Sequence, residues 1–277
     1  MATPLIPRRR PAALCRVVLV ALLVSLPALA RAADWPGYEK LSRAEVLAAL
    51  DRASHAAPAS FYAKNLSDLD LSGVDFQGAN LSAAILNGSN LKGANLARCN
   101  LTVSFAEGAN FADADLRGAV LFSTQLKGSV FKGANLSGAR LIGDLRQVNL
   151  EGATLTGMDA AADMKNQSMG LMRANIVSAN LKGADLSGSD FSRADFSFSV
   201  LAGARLAGTR IYGGDFSGTD FTGADLAGAD LSESRFIDTN FTGANLTDAT
   251  FTGATFRNVR GLAEAITTGA RGLPAAR

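Results

Sequence analysis

The chain has 277 residues, 48% of them hydrophobic, and a formal net charge of +2. That apolar content excludes an intrinsically disordered protein, and so small a basic excess gives no support to nucleic-acid binding. One histidine and two cysteines leave no zinc ligand set and no nucleophile–base–orienter constellation, so composition points away from an enzyme.

At the N-terminus, Arg8, Arg9 and Arg10 precede an apolar run from Val17 to about Ala30, and Ala30-Arg31-Ala32 follows. This is the layout of a cleavable secretory signal over residues 1–32, and it implies a periplasmic or secreted protein. The apolar run is shorter than the roughly 20 residues of a spanning helix, and Pro27 lies near its end, so no stable membrane anchor is expected after cleavage. Signal removal takes five of the 27 basic residues and none of the 25 acidic ones, which leaves the mature chain about three charges negative. Only Cys99 then remains, which excludes an intramolecular disulfide.

Residues 33–60 read as a linker and a helix. Ser42-Arg43-Ala44-Glu45 has capping-box spacing, and Val46, Leu47, Leu50 and Ala53 follow at helical spacing, which predicts a capping helix over 41–56. His55, the only histidine, falls at its end and reads as a surface residue.

From Leu66 a large apolar residue recurs at every fifth position through Leu141, with Ala106 the only exception, and a second run extends from Leu171 to Phe256. Two residues before each stands a small residue, as in Ala79, Ser89, Ala94 and Cys99. Asn or Asp usually sits between the two, and Gly often follows two residues after the large one. The spacing of two places small and large residues on one face of a short extended segment. Gly, Asn, Asp and Ser suit the turns that must separate such segments. A chain that bends every five residues becomes a polygonal coil, and one coil alone cannot bury its inner face, so coils must stack.

The motif in Ala94-Asn95-Leu96, Ala134-Asn135-Leu136-Ser137-Gly138 and Ala224-Asp225-Leu226-Ala227-Gly228 resembles the pentapeptide-repeat family over residues 61–260. The resemblance implies an all-β fold: a right-handed quadrilateral parallel β-helix with about 20 residues per coil and Leu/Phe and the small residue inward. Strand spacing would make the rod some 45–50 Å long. Residues 261–277 are expected to form a short closing helix from Gly261 to Ile266 and a loose tail.

The period slips after Leu141, with centres at Leu145, Leu150 and Leu155, and dissolves until Leu171, giving an irregular break at 156–170. The interval from 141 to 171 is a whole number of pentapeptides, which suggests one missing residue offset by one extra within a single stack. Met158, Met164, Met169 and Met172 all fall in or beside this break. Flexible core filler is the ordinary explanation; a thioether site for Cu(I) is the sharper one. No cofactor is otherwise implied.

Residues 20 apart should be neighbours on one wall, so the outer positions form ladders such as Asp185–Arg205–Asp225 and Asp190–Arg210–Asp230. Interposed arginines relieve the repulsion of stacked carboxylates. Members of the family that resemble DNA and bind gyrase carry strongly acidic surfaces; here Arg205, Arg210 and Arg235 interrupt the acidic ladders, residues 61–155 hold eight acidic and eight basic residues, and the export signal points away from the cytoplasm. A DNA-mimic role is therefore the weaker alternative. Val103, Val120, Phe122 and Ile142 occupy outward positions on three consecutive coils and would form an apolar stripe. Either the break covers this stripe or it contacts a protein partner or a second copy. The function that results is a non-enzymatic scaffold or protein-binding rod, with no nucleic-acid ligand.

Overall fold

A computed structural model describes residues 35–54, 56–76, 78–164 and 172–274. The predicted signal segment, His55, Met169 and Leu171 lie outside these residues.

The residue just before each inward Leu or Phe forms a parallel bridge with the residue 20 positions on: Ser60 with Asn80, Asn65 with Ile85, Asp70 with Asn90 and Asp75 with Asn95. These four bridges start four walls, numbered one to four in that order, and each wall repeats once per coil. Along wall one the rungs run Ser60, Asn80, Asn100, Val120, Arg140, Asp159, Asp190, Arg210, Asp230, Thr250 and Arg271. Ten steps of about 4.8 Å give a rod of about 48 Å.

Each corner is a tight turn closed by a backbone bond, such as Val74 N to Leu71 O at 3.2 Å and Ala79 N to Phe76 O at 2.8 Å. The residue two after the inward Leu or Phe has positive φ, as in Gly73 (+66°) and Gly78 (+73°), which explains why glycine recurs there. The Asn or Asp of each segment fixes the next turn from outside: Asn80 Oδ1 accepts from Ser82 N at 3.0 Å and Asp215 Oδ1 from Ser217 N at 2.9 Å.

Inside, Leu, Phe and small residues form one continuous core. Equal residues on successive coils lie directly over each other, so Phe196, Phe216, Phe236 and Phe256 form a column with ring centroids 5.3, 5.3 and 5.1 Å apart. Buried hydroxyls at the small position are satisfied across coils; Thr239 Oγ1 donates to Phe216 O at 2.9 Å.

Strand β1 (Glu39–Lys40) adds a parallel strand to β2 (Lys64–Asn65). Helix α1 follows at Arg43–Asp51, and its capping box is formed: Ser42 N donates to Glu45 Oε2 at 2.7 Å and Glu45 N to Ser42 Oγ at 3.3 Å. The backbone N–H of Ser42 holds the Glu45 carboxyl below its usual range. Val46 and Leu50 are buried in the core. The helix is shorter than the expected 41–56 because a tight turn, in which Ser54 and Ala57 exchange two backbone bonds of 3.1 Å, intervenes before Pro58.

Two expectations need correction. The segment 261–266 is not helical: Ile266 bridges Asn245 and Arg271 bridges Thr250, so the chain adds a further partial coil with one extra residue. Gly261, at φ +77°, lies so close to the Thr242 backbone that no side chain fits; it makes a turn and does not begin a helix. At the break, the partner offset drops from 20 to 19 between strands β3 (Val120–Gln125) and β4 (Arg140–Asp144), and Ser123 is bulged out of the ladder. The next coil then needs 31 residues, from Asp144 to Asn175, before the offset returns to 20. One missing residue is thus offset by eleven extra ones, placed between Asp159 and Asn175, where Asp163 and Met172 pair antiparallel. Strands β5 (Arg235–Ile237) and β6 (Thr255–Arg257) pair without irregularity.

Candidate binding surface

The corner between walls one and two is where the repeat departs furthest from its rule. Val103 occupies the left-handed position at φ +53° and is 45% exposed. Its N–H donates to Phe122 O at 2.8 Å, which sets the valine one coil from the bulge that begins at Phe122. Phe122 is half-buried, and the Arg140 guanidinium lies 5.5 Å from its ring centroid, a cation–π contact across one coil. Val120, also half-buried, is the rung above Arg140.

Ile142 does not join them at the surface. It is 1% exposed yet lies outside the interior core, because the turn residue that would follow it is deleted and Gly143 comes directly after. A Cβ on Gly143 would run into the Thr124 carbonyl oxygen. Thr124 is itself fixed, buried and donating to Leu101 O at 3.0 Å. The result is a notch of about 330 Å³ lined by residues that include Ser123, Ile142, Asp144, Met172 and Asn175. The stripe is therefore divided: Val103 and Phe122 are open, and Ile142 faces the returning arm of the long coil.

The three described methionines of the break lie in different settings. Met158 is 2% exposed and belongs to the core, Met164 is 48% exposed and Met172 lines the notch. Met158 thus acts as core filler, and a thioether set that includes it would have to pull it out of the stack. Among the described residues no group of three or more His, Cys, Asp or Glu side chains is placed to hold a metal ion.

Charged groups stabilise the walls locally. Arg205 lies 3.7 Å from Asp185 and Arg210 lies 3.6 Å from Asp190, so each ladder arginine leans to the preceding aspartate. Arg117 and Arg146 fold back on Asp115 and Asp144 two residues earlier, and their side-chain hydrogen bonds hold both carboxyls below the usual range. Cys99 is buried, and burial pushes its thiol up to about 12. Its thiolate is the reactive form, so Cys99 should be silent to a thiol reagent at pH 8 in the native protein and react fully in denaturant. Rapid native labelling would show that its coil opens.

Two surface features carried no plain sequence signal. Phe105, the residue before Ala106, points outward on wall two and packs against Trp35 with centroids 5.1 Å apart; Tyr38 meets the same indole edge-on at 6.1 Å. On that wall Ile85 is fully buried outside the interior core. On the second half of the rod, Phe198 is 66% and Val200 39% exposed. The lapse of the inward position at 106 was the available hint for the first, and a phenylalanine in a glycine position for the second.

The architecture defines a solenoid, and comparison with known proteins identifies its kind. The profile for pentapeptide repeats matches eight copies over residues 65–102, 107–143, 179–218, 189–226 and 219–258. The chain belongs to the pentapeptide-repeat family and folds as a right-handed quadrilateral β-helix. Among solved structures it is similar to HetL, a pentapeptide-repeat protein involved in heterocyst differentiation regulation from the cyanobacterium Nostoc sp. strain PCC 7120, with 22% identity, TM-score 0.50, and coverage of 83% of this chain and 96% of HetL. Rfr23 from the cyanobacterium Cyanothece 51142 matches with 20% identity and TM-score 0.40 over 44% of this chain and 88% of its own. A trypsin-treated form of QnrB1, a plasmid-mediated fluoroquinolone resistance protein, matches with 19% identity and TM-score 0.32 over 68% and 87% of the two chains. No curated protein matches the chain.

Proposed function

We propose that the chain is an exported, non-enzymatic binding rod that recognises a protein partner, or a second copy of itself, at the corner formed by Val103 and Phe122. The observation that carries this reading is the backbone of Val103. Val103 is the one β-branched residue among the fifteen non-glycine residues described at positive φ, and its φ of +53° costs on the order of 1–2 kcal/mol. That cost is accepted to hold an apolar side chain outside, beside Phe122. Export is supported by the arginine-led apolar run before Ala33. Among the described residues no helix is long and apolar enough to cross a membrane.

Site-specific photo-crosslinkers at Val103 and Phe122, in cells expressing the full chain, test the reading. A discrete adduct from both positions, in the periplasmic or secreted fraction and with the mature chain starting near Ala33, is expected. Adducts no different from those of a crosslinker at Thr242, at the opposite corner between walls three and four, would reject the site; retention of an intact N-terminus in the cytoplasm would reject the export.

A further inference from the structure

Wall three differs from the other walls in its charge. Six successive rungs, Asn90, Asn110, Val130, Asn149, Asn180 and Val200, carry no charged side chain. Wall one reaches Arg140 after four uncharged rungs, wall four carries Asp75, Asp115, Asp185 and Arg205, and the uncharged part of wall two is where Trp35 packs on Phe105. At about 4.8 Å per rung the neutral strip is about 24 Å long.

The amides on this strip are oriented alike. Their oxygens are committed to the following turn: Asn110 Oδ1 accepts from Ala112 N at 3.0 Å, Asn149 Oδ1 from Glu151 N at 3.1 Å and Asn180 Oδ1 from Lys182 N at 3.1 Å. One N–H passes up the ladder where an acceptor exists, from Asn110 to Asn90 at 3.1 Å and from Asn180 to Asn149 at 3.2 Å. Val130 has no acceptor to offer Asn149. What the wall presents outward is therefore two pairs of N–H donors at coil spacing, Asn90 with Asn110 and Asn149 with Asn180, separated by Val130.

Charges of both signs flank the row, with cations in excess: Glu107, Lys127 and Arg146 stand at one corner, and Lys92, Lys132, Glu151 and Lys182 at the other. Lys92 and Lys132 are paired, with Asp113 at 3.8 Å and Glu151 at 3.1 Å, whereas Lys127 and Lys182 form no ion pair among the described residues. At the far end Phe198 is held at φ +60° with its ring over Gly218, where any Cβ would strike it. That conformation is unfavourable for a bulky residue and leaves a flat apolar platform in solvent.

We propose that wall three docks an extended acidic polysaccharide lying along the rod axis. Its hydroxyl and carboxylate oxygens match the outward N–H donors, its charge matches Lys127 and Lys182, and the apolar face of a sugar ring fits Phe198. The rung spacing is close to the length of one sugar in an extended chain, so neighbouring sugars meet Asn90 and Asn110, and again Asn149 and Asn180, with the apolar Val130 between the pairs. A protein partner fits less well, because the strip lacks the central aromatic or arginine anchors that dominate such interfaces. Single-stranded nucleic acid needs a denser cationic track interleaved with stacking aromatics. This surface is separate from the Val103–Phe122 corner, and neither proposal depends on the other.

Affinity electrophoresis of the mature protein through gels containing polygalacturonate, dextran or single-stranded DNA tests the proposal at low and at physiological salt. Polygalacturonate should retard the protein, dextran and DNA should retard it at least tenfold less, and salt should weaken the retardation. The Lys127→Gln/Lys182→Gln pair should weaken binding about tenfold and Phe198→Ser several-fold, with thermal melts confirming intact folds. The equally charged Arg205→Gln/Arg210→Gln pair should bind as the parent does. Absence of retardation, equal losses in the two double variants, or equal binding to DNA would each overturn the proposal.

Discussion

Phe216→Ala is expected to cost about 3–5 kcal/mol, the range for removing a buried phenylalanine. Phe216 is the middle of the inward column: its ring stacks on Phe196 and Phe236 and tilts against Phe221 at 5.2 Å. Stacked rings add to burial itself, at roughly 0.5–1.5 kcal/mol per pair, and one substitution removes three such contacts. In a stacked solenoid each coil is stabilised by its two neighbours, so the loss concentrates at one interface. A melting temperature lowered by about 10 °C is expected, with faster amide exchange concentrated between Phe196 and Phe236. A shift of under 2 °C, or exchange spread evenly along the rod, would contradict the stacked core.

Gly143→Ala should be strongly damaging for a single added methyl. Gly143 is not at positive φ; it is required for space, since a Cβ would meet the Thr124 carbonyl oxygen, which is backbone and cannot rotate away. Overpacking of this kind costs about 1–3 kcal/mol, and here it falls on the rung where β3 and β4 change register. The comparison variant is Gly138→Ala, which meets nothing within 4 Å and suffers only its φ of +65°. Thermal melts should show Gly143→Ala as the less stable of the two. Amide exchange should locate the damage at Thr124 to Asp144. Equal effects at both glycines would mean that the four-residue side tolerates a side chain.

The repeat was legible because its constraints are local. A five-residue unit must supply an inward pair and a turn, and a failure of the inward pair shows in the residue types, as Ala106 does. Ladder pairing such as Asp185 with Arg205 followed from the period together with the coil of about 20 residues that the family resemblance implies. Phase, however, counts only modulo five. One residue lost at Ser123 and eleven gained before Asn175 together restore it, so the sequence period cannot distinguish a small bulge from a long excursion. Ile142 could not be assigned for the same reason: its burial depends on the deletion beside it and on where Met172 returns. The outer contact of Trp35 with Phe105 joins residues far apart in sequence, and period-five reasoning is blind to such contacts. The helical pattern read into 261–266 gave way to turns that its glycines favour.

The central claim, that recognition lies at the Val103–Phe122 corner, is tested most directly by Phe122→Asp. The side chain is half-buried on the outer surface and lies under Arg140, so an aspartate there exchanges a cation–π contact for an ion pair and leaves the inward Leu121 untouched. The account predicts a melting temperature within about 2 °C of the parent, the scale of a surface change of under 1 kcal/mol, together with loss of the adduct formed from a crosslinker at Val103. A large drop in stability would make Phe122 part of the fold, and an undiminished adduct would place recognition elsewhere on the rod.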